Sequence, residues 1–413
     1  MTEFTYHDGE LCCENVSLSE IARHAGTPCF IYSKQALLNA YLALDKAFAG
    51  VDHLICYAIK SNANLAVLNL LAELGAGMDI VSRGELYRAL RVGVSPERIV
   101  YSGVGKSEAE IRYGLESGIL SFNVESLPEL AAINRIAASL GKTAPVSLRI
   151  NPDVESDTHE YTATGKKGTK FGVPYEQAKE AYTYAAEFEN LRLIGIDTHI
   201  GSQIVRVEPF VAAFAKIAEL FTELKDEGFE LEFFDIGGGL GIAYSDEATP
   251  TAEEFAGAVL PILKPLDCKI ILEPGRFISG NAGVLLTQVI HLKQTGVKNF
   301  AVVDAGMNDL IRPSLYNAYH RVSPVTESDS AKIEMDLVGP ICESGDWLAK
   351  DRLLPKLEEG ALLCLHSAGA YSFTMSSNYN GRPRGAEVLV DGDSYRIVRK
   401  AETIEDLIRG EEI

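Results

Sequence analysis

The sequence predicts a (β/α)8 barrel of parallel strands followed by a C-terminal β-sandwich or β-barrel, which is an α/β fold joined to an all-β domain. Between residues 53 and 273, short apolar runs rich in β-branched and aromatic residues alternate with longer amphipathic segments. After about residue 280, extended segments separated by turn residues replace that alternation, and little there has a helical period. The predicted domains are therefore 35–278 for the barrel, and 1–34 together with 279–413 for the β domain.

Eight strand candidates are almost continuously apolar, as expected for parallel strands that are buried on both faces of a sheet. They cover residues 53–59, 77–81, 98–101, 119–124, 144–150, 193–199, 231–236 and 268–273. The intervening helices are predicted at 65–75, 83–93, 106–118, 125–141, 175–188, 208–228 and 251–264. The first two end at a glycine, which commonly terminates a helix. A doubly wound open sheet shows the same alternation, so it remains the alternative to a closed barrel.

The predicted β domain is built from extended segments of roughly 130 residues in total. Its candidate strands lie within residues 284–294, 300–306, 332–339, 361–369 and 384–398. The N-terminal segment contains HDGELCCEN and PCFIYS ahead of the first barrel strand, and it is expected to add strands to this domain.

Composition excludes several classes of partner. Lys and Arg total 38 against 58 for Asp and Glu, which gives a net charge of −20. Nucleic-acid and anionic-membrane partners require a basic face, so neither is expected, whereas a few local arginines could still bind a small anionic substrate.

No apolar run reaches the roughly 20 residues of a membrane span, and the acidic N-terminus is unlike a secretory signal, so a cytoplasmic location is predicted. The seven cysteines are scattered without a CxxC pair, which predicts neither disulfides nor a metal site.

Chemically unusual residues follow four of the predicted strands, at the end where barrels carry their active sites. Lys60 follows the first strand and His199 the sixth. The Gly237–Gly239 triplet follows the seventh strand, and Glu273–Arg276 follows the eighth. If the barrel closes, these segments converge on one face.

Each of these residues has a structural and a functional interpretation. Lys60 is either a partly desolvated nucleophilic amine or a lysine that extends into solvent. His199 is a ring-stacking residue, a ligand or a hydrogen-bonded core residue. The glycine triplet is a phosphate cradle of backbone N–H groups or a flexible turn. Glu273 either forms a structural ion pair or faces a protonated ring nitrogen.

Further candidates lie in or near the predicted β domain. Three arginines are either carboxylate-binding forks or solvated surface charges: Arg276, Arg312 and Arg384. Cys342 precedes Glu343, and an adjacent acid raises a thiol pKa, so this cysteine is no nucleophile on that evidence alone. Tyr371 lies in a loop of small residues, which is typical of a ligand-binding segment.

A lysine, a phosphate cradle and an acid for a pyridinium nitrogen together match the requirements of pyridoxal 5'-phosphate (PLP). The sequence also resembles, nearly end to end, the barrel-type (fold type III) PLP-dependent decarboxylases, most closely those acting on diaminopimelate. The resemblance depends on GTPCFIYS, YAIKSNANLAVL, RINPDVESDTHEYTATGKKGTKFG, HIGSQI, DIGGGLGIAY, EPGRFISGNAGVLL, DAGMNDLIRPSLYNAYH, GPICESGDWL and AGAYSFTMSSNYNGRPRGAEVLV. One departure is SRGE at 82–85, where the family has SGGE, so the conformation of the loop at Arg83 is open.

The resemblance implies a role for each candidate. Lys60 would be the Schiff-base lysine, His199 would stack on the ring, Glu273 would pair with the pyridine nitrogen, and Cys342 would protonate Cα. The implied cofactor-binding residues are Lys60, His199, Ser202, Gly237, Gly238, Gly239, Glu273, Pro274, Gly275, Arg276 and Tyr371. The implied substrate-binding residues are Arg276, Arg312, Tyr316, Glu343 and Tyr371. No metal is implied.

The resemblance implies decarboxylation of meso-2,6-diaminopimelate to L-lysine in a homodimer, with Cys342 and Glu343 reaching the neighbouring subunit's site. A related decarboxylase of a polyamine precursor or carrier-bound amino acid is the alternative, although THEYTATGKKGTKFG and the RPSLY arginine argue against it. An amino-acid racemase shares the fold but has an arginine at the ring nitrogen. The non-enzyme alternative is a PLP carrier or an inhibitory homologue.

Overall fold

The computed structural model describes residues 3–155, 165 and 168–413, which form two compact units. The barrel unit comprises Tyr41–Ile242 and Ala248–Gly275, and the sheet unit comprises Met1–Ala40, Ala243–Glu247 and Arg276–Ile413. The N-terminal elements are β1 (Phe4–His7), β2 (Glu10–Cys13), β3 (Val16–Ser17), α1 (Leu18–Ala25), β4 (Cys29–Ser33) and α2 (Lys34–Phe48). Neither helix is among those predicted, although the buried residues of α2 recur at helical spacing: Leu37, Tyr41, Leu44 and Phe48.

The barrel unit contains all eight predicted strands and all seven predicted helices. Its strands are β5 (His53–Ala58), β6 (Gly77–Ile80), β7 (Ile99–Tyr101), β8 (Ser121–Val124), β9 (Ala144–Asn151), β10 (Val173–Pro174), β11 (Leu191–Asp197), β12 (Phe233–Asp235) and β13 (Lys269–Leu272). Its helices are α3 (Leu65–Glu73), α4 (Arg83–Arg91), α5 (Glu108–Ser117), α6 (Leu127–Leu140), α7 (Ala178–Ala186), α8 (Glu208–Asp226) and α9 (Ala252–Leu263).

The parallel strands close into a ring. Strands β5 to β9 pair in chain order, β9 pairs with β11, and β12 and β13 follow. The ring is completed where β13 pairs with β5, with Ile271 opposite Leu54. The short β10 pairs with β9 in addition. Closure confirms the barrel prediction and excludes the doubly wound open sheet, which would leave two edges unpaired.

The barrel interior is apolar toward one end of the strands and polar toward the other. Toward the N-terminal ends of the strands, buried apolar residues pack into one cluster: Leu54, Cys56, Val100, Ile194, Phe233 and Ile271. Side chains two residues apart lie on the same face of a strand. Two positions beyond Val100, Phe233 and Ile271 stand the buried polar residues Ser102, Asp235 and Glu273. The apolar layer therefore supports a polar layer at the C-terminal ends, where the site is predicted.

Local sequence fixes the helix ends of the barrel unit. Helix α5 begins with a capping box of Ser107 and Glu110, which satisfies backbone N–H groups of the first turn. Helix α4 begins at Arg83, with the hydroxyl of Ser82 accepting the Glu85 N–H at 3.2 Å, so arginine fits where the family has glycine. Within the described part of the chain, no helix combines the length and apolarity needed to cross a membrane.

The remaining elements belong to the sheet unit and are α10 (Arg276–Ser279), β14 (Gly283–Gln294), β15 (Asn299–Val303), α11 (Arg312–Tyr316), β16 (Val322–Pro324), β17 (Lys332–Val338), β18 (Trp347–Pro355), β19 (Leu362–Leu365), β20 (Ala386–Asp391) and β21 (Ser394–Arg399). Most of these strands form one sheet with the order β18-β17-β15-β14-β4-β20-β21, and β19 pairs with both β14 and β16. N-terminal β4 lies between β14 and β20 in that sheet. The expectation of little helix after about residue 280 agrees with the structure, since α11, with five residues, is the only α-helix among the described residues there.

Candidate active site

Lys60 lies in a single 3-10 turn, 59–61, that directly follows β5. Its Nζ donates a hydrogen bond to Oδ2 of Asp79, which is buried on β6, and 33% of the lysine side chain is exposed. The other oxygen of Asp79, Oδ1, is buried and has no hydrogen-bond partner among the described residues. The lysine is thus held at the barrel mouth by a buried carboxylate and does not extend freely into solvent, and its nucleophilic role stays a prediction.

Glu273 follows β13 at the base of the polar layer and is 5% exposed. Its Oε1 accepts hydrogen bonds from Ser102 Oγ at 3.1 Å and from Asn123 Nδ2 at 3.3 Å. Asn123 Nδ2 also lies 3.2 Å from Asp235 Oδ2, and Asn123 Oδ1 accepts from Ser147 Oγ at 2.6 Å. Neutral donors from β8 and from the residue after β7 thus orient the Glu273 carboxyl group.

Burial and mutual repulsion perturb the acids around Glu273. Carboxylate oxygens of Asp197, Asp235 and Glu273 all lie within 4.8 Å of one another. Burial raises the pKa of Glu273 well above its usual range, and the charges of Asp235 and Asp79 add to the effect. Burial likewise raises the pKa of Asp235 to about 7. Such a site favours a bound group that carries positive charge, and the absence of a metal there stays a prediction.

His199 follows β11 as a neutral ring. Its Nδ1 accepts the backbone N–H of Gly238 at 3.1 Å, so this nitrogen carries no proton. Burial lowers the histidine pKa well below its usual range, and the nearby cations Arg149 and Lys60 lower it further. Arg149 also fixes the His199 carbonyl, which accepts from Nη2 at 3.2 Å. The ring is thereby uncharged and fixed in position, as a stacking residue requires.

The Gly237–Gly239 turn needs glycine because the chain passes close to other backbone. A Cβ on Gly238 would lie 2.2 Å from the Glu273 carbonyl oxygen. Gly237 and Gly239 have φ of +65° and +105°, and a Cβ on either would lie 2.5 Å from a carbonyl oxygen. The N–H of Gly237 already donates to Asp235 Oδ1 at 2.9 Å, and that of Gly238 to His199. The phosphate role predicted for this turn stays a prediction, since two of its three N–H groups have protein acceptors.

The other predicted cofactor residues of the barrel unit lie in adjacent loops. Ser202 is half-buried in the loop that follows β11. Pro274 and Gly275 follow β13, and the Pro274 carbonyl accepts the Ala58 N–H at 3.1 Å. A Cβ on Gly275 would lie 3.0 Å from the Ser61 side chain, so this turn packs against the one that carries Lys60.

Two predicted substrate-binding arginines meet around one tyrosine in the sheet unit. Arg276 and Arg312 are 7% and 5% exposed, and both guanidinium groups lie over the ring of Tyr244, at 5.8 and 4.9 Å from its centroid. Arg276 also lies over the ring of Tyr371 at 4.8 Å. Tyr316 ends α11, the helix that Arg312 begins. This unit thus holds two buried cations among aromatic rings, which favours a carboxylate site over surface charges.

The loop that carries Cys342 is organised by Asp346. Its carboxylate accepts the backbone N–H groups of Met307 and Ile341, both at 2.6 Å. Cys342 is exposed, and its backbone N–H donates to Asn380 Oδ1 at 2.9 Å. Glu343 is also exposed and accepts a hydrogen bond from the Tyr379 hydroxyl at 2.8 Å. Both predicted side chains therefore stand on a braced, outward-facing loop.

Arg384 binds a carboxylate of the protein itself. Its Nη1 donates to Glu402 Oε1 at 2.9 Å and to Asn378 Oδ1 at 2.8 Å, and its Nε donates to Ser376 Oγ at 3.1 Å. A guanidinium with this many protein acceptors is a structural group of the sheet unit. It is neither a free carboxylate fork nor a solvated surface charge.

Several residues of the polar layer and of the arginine cluster are absent from the predicted site. They are Asp79, Ser102, Asn123, Arg149, Asp197, Asp235 and Tyr244. A sequence signal existed for most of them, because each is a polar residue within or just after an otherwise apolar strand. Such a residue is costly to bury without a function or a partner. Tyr244 has no comparable signal, since it follows the glycine-rich turn as one of several apolar residues.

The barrel residues fit PLP on three structural observations. A lysine amine stands at the mouth, an acid-rich layer with partnerless oxygens on Asp79 and Asp197 favours a cationic ring, and a neutral histidine lies beside them. Residues 156–164 and 166–167 lie outside the described part of the chain. They include most of the THEYTATGKKGTKFG motif, which spans residues 158–172.

Comparisons with known proteins agree with this chemistry. A family model described as "Pyridoxal-dependent decarboxylase, pyridoxal binding domain" matches residues 34–280. A diaminopimelate decarboxylase of Pseudomonas aeruginosa is 51% identical over 413 residues, covering 100% of this chain and 99% of that protein. A crystal structure of diaminopimelate decarboxylase from Helicobacter pylori complexed with L-lysine is 44% identical with a TM-score of 0.92, covering 95% of this chain and 98% of that one. The corresponding M. jannaschi structure is 39% identical with a TM-score of 0.95, covering 100% and 98%.

Proposed function

The chain belongs to the pyridoxal-dependent decarboxylases, and on this premise we propose that it converts meso-2,6-diaminopimelate to L-lysine and CO2. The resemblance, the fold class and the cofactor PLP predicted from the sequence are confirmed, and the chain is a carboxy-lyase. The observation that carries the proposal is the meeting of Lys60, His199 and the buried acid layer of Glu273 at one end of a closed barrel.

The bond between Cα and one carboxylate breaks, CO2 leaves, and the electron pair remains at Cα until a proton replaces it. Bound PLP supplies the electron sink for that pair. Glu273 would hold the proton on the ring nitrogen, supported by the acids around it. Lys60 would anchor the cofactor and release the product, and His199 would cover one face of the ring. Cys342 would deliver the proton to Cα.

The second amino-acid centre of the substrate keeps its carboxylate and ammonium throughout the reaction. Two buried guanidinium groups suit that carboxylate because charge-assisted, bidentate hydrogen bonds to a carboxylate are strong. Arg276 and Arg312 would bind it, with Tyr316 and Tyr371 beside them. Glu343 would bind the ammonium. A polyamine-precursor decarboxylase has no need of a distal carboxylate site, so the arginine pair favours diaminopimelate.

CO2 release from meso-diaminopimelate, compared with lysine, ornithine and arginine at equal concentrations, tests the proposal. Of these four compounds, we expect only diaminopimelate to release CO2 rapidly. Faster release from ornithine or arginine would assign the chain to the polyamine-precursor branch. The racemase alternative predicts an arginine at the ring nitrogen, whereas the residue proposed for that role here is Glu273.

Arg312→Ala should lower kcat/KM for diaminopimelate by an amount equivalent to about 2–5 kcal/mol, because the distal carboxylate of the substrate would be buried without its charged partner. The loss should be much smaller for any trace activity on lysine, because lysine has no second carboxylate besides the one that reacts. Arg135→Ala is the control, because Arg135 is an exposed arginine of α6 whose side chain is 64% accessible. Equal losses on both substrates would instead identify Arg312 as a structural residue.

We also propose a homodimer in which Cys342 and Glu343 complete the site of the neighbouring subunit. The family resemblance supports it, and so does the exposure of both side chains on a braced loop. A two-fold dimer repeats each contact, so every dimer would carry two composite sites. A cytoplasmic location stays a prediction.

Mixing inactive Lys60→Ala and Cys342→Ala proteins under conditions of subunit exchange should restore roughly a quarter of wild-type activity. Random exchange makes half the dimers mixed, and each mixed dimer has one site with both residues intact. Mixing Lys60→Ala with Glu273→Gln is the control, because both residues belong to the barrel unit of one chain and no intact site can form. Demonstrated exchange without recovery in the first mixture would exclude the composite site.

A further inference from the structure

We propose that Tyr244 determines substrate specificity by holding Arg276 and Arg312 together as a preformed carboxylate site. The inference rests on the proposed function and deepens it, because it names the residue that makes the enzyme select ligands with a carboxylate beyond the reacting centre. Tyr244 is a positioning residue, since it acts through the two guanidinium groups.

The contacts of Tyr244 reach both arginines at once. Arg276 Nη1 donates a hydrogen bond to the tyrosine hydroxyl, and its Cζ lies 5.8 Å from the ring centroid. Arg312 Cζ lies 4.9 Å from the same centroid. Both distances lie within the roughly 6 Å range of cation–π attraction. One side chain therefore offers its π face to Arg312 and its hydroxyl acceptor to Arg276.

Two buried guanidinium groups repel each other unless something compensates their charge. Among the described residues, Nε and Nη1 of Arg312 are buried without a hydrogen-bond partner, and the neighbouring titratable groups are tyrosines and Arg276, with no carboxylate among them. Burial lowers the pKa of Arg312, the charge of Arg276 lowers it further, and Tyr244 opposes both. The donors left on Arg312 can bind a carboxylate, whose two oxygens match the planar geometry of a guanidinium group.

The tyrosine is itself held rigidly. Its backbone N–H donates to Glu247 Oε1 at 2.7 Å, which fixes the turn after the glycine triplet. The ring of His320 meets the tyrosine ring edge-on, at 5.4 Å and 80°. His320 Nδ1 donates to the His366 carbonyl at 2.8 Å, and burial lowers the histidine pKa to about 3, so no third cation is added. A rigid support preorganises the arginines before any ligand arrives.

The ring and the hydroxyl make separable contributions. Tyr244→Phe keeps the π face for Arg312 and removes the acceptor used by Arg276. Tyr244→Leu removes both while keeping an apolar side chain in a buried position. We therefore expect a graded loss, larger for leucine than for phenylalanine.

Calorimetric titration of the PLP-loaded enzyme with L-lysine and with cadaverine tests the inference. The two diamines differ only in the carboxylate, so the ratio of their affinities reports on the carboxylate site. Wild type should prefer L-lysine, and Tyr244→Leu should reduce that preference about tenfold or more, while Tyr244→Phe reduces it less. Tyr184→Leu, the same exchange on the outer helix α7, should leave the ratio at its wild-type value.

The outcomes separate this inference from the proposed function. If wild type decarboxylates diaminopimelate and prefers L-lysine, yet Tyr244→Leu keeps the wild-type ratio, the role of Tyr244 is wrong. If wild type does not decarboxylate diaminopimelate, the proposed function is wrong, whatever the variants do. Thermal melts and cofactor content verify folding. If Tyr244→Leu does not fold, the ratio for Tyr244→Phe decides, because an unchanged preference in that variant contradicts the role of its hydroxyl.

Discussion

Lys60→Ala is expected to lower CO2 release from diaminopimelate by on the order of 10³-fold or more, the range lost when a positioned proton-transfer group is removed. The lysine has two duties, anchoring PLP and taking part in product release, and alanine can perform neither. Its amine is already placed for them, because it follows β5 directly and donates to a buried carboxylate. The loss should appear in kcat measured with saturating substrate and added PLP.

The same variant should lose covalent attachment of the cofactor. Borohydride treatment of the wild-type enzyme, followed by peptide mass spectrometry, should find the cofactor label on Lys60. Lys179→Ala is the matched control, because Lys179 also forms ion pairs, with Glu223 and Glu227 on the outer surface. A label on any other lysine, or near-normal turnover of Lys60→Ala, would contradict the assignment.

Glu273→Gln should lower kcat by about 10²–10³-fold, the usual cost of removing one preorganised group from the site where charge develops. Glutamine keeps the size and most contacts of the side chain, so PLP should still bind. It carries no negative charge, and the ring nitrogen would lose its proton and become a poorer electron sink. The 15N chemical shift of ring-labelled PLP on the enzyme should move from a protonated to an unprotonated value.

A buried acid of the sheet unit separates this effect from general destabilisation. Glu387 is fully buried on β20 and pairs with Arg399. Glu387→Gln should leave both kcat and the 15N shift at wild-type values. A protonated ring nitrogen in Glu273→Gln would transfer the role to Asp235 or Asp197, whose oxygens belong to the same cluster.

Much of the fold was predictable because its elements are encoded locally. Each barrel strand is a short apolar run, the helices that follow carry their own periodicity, and several of them, such as α5 and α6, end at a glycine. The positions of Lys60 and Glu273 followed from the same logic, since each comes directly after such a run. The apolar residues of α2 also recur at helical spacing, at positions 37, 41, 44 and 48. The sequence therefore contained the signal for α2, although this helix is not among those predicted.

Other features depend on contacts between distant segments, which no local pattern encodes. Pairing of β13 with β5 distinguishes a closed barrel from an open sheet. Asn123 contacts Glu273 across 150 residues of sequence, and Tyr244 meets Arg276 and Arg312 from a separate loop.

The sequence by itself thus determined the strands, the helices and the residue types at the strand ends, because propensity and periodicity act over a few neighbouring residues. Only the tertiary structure decided which acids share one buried layer and which ring contacts both arginines. The physical reason is that burial in a low-dielectric interior makes charge interactions strong, and burial exists only once distant segments have packed together.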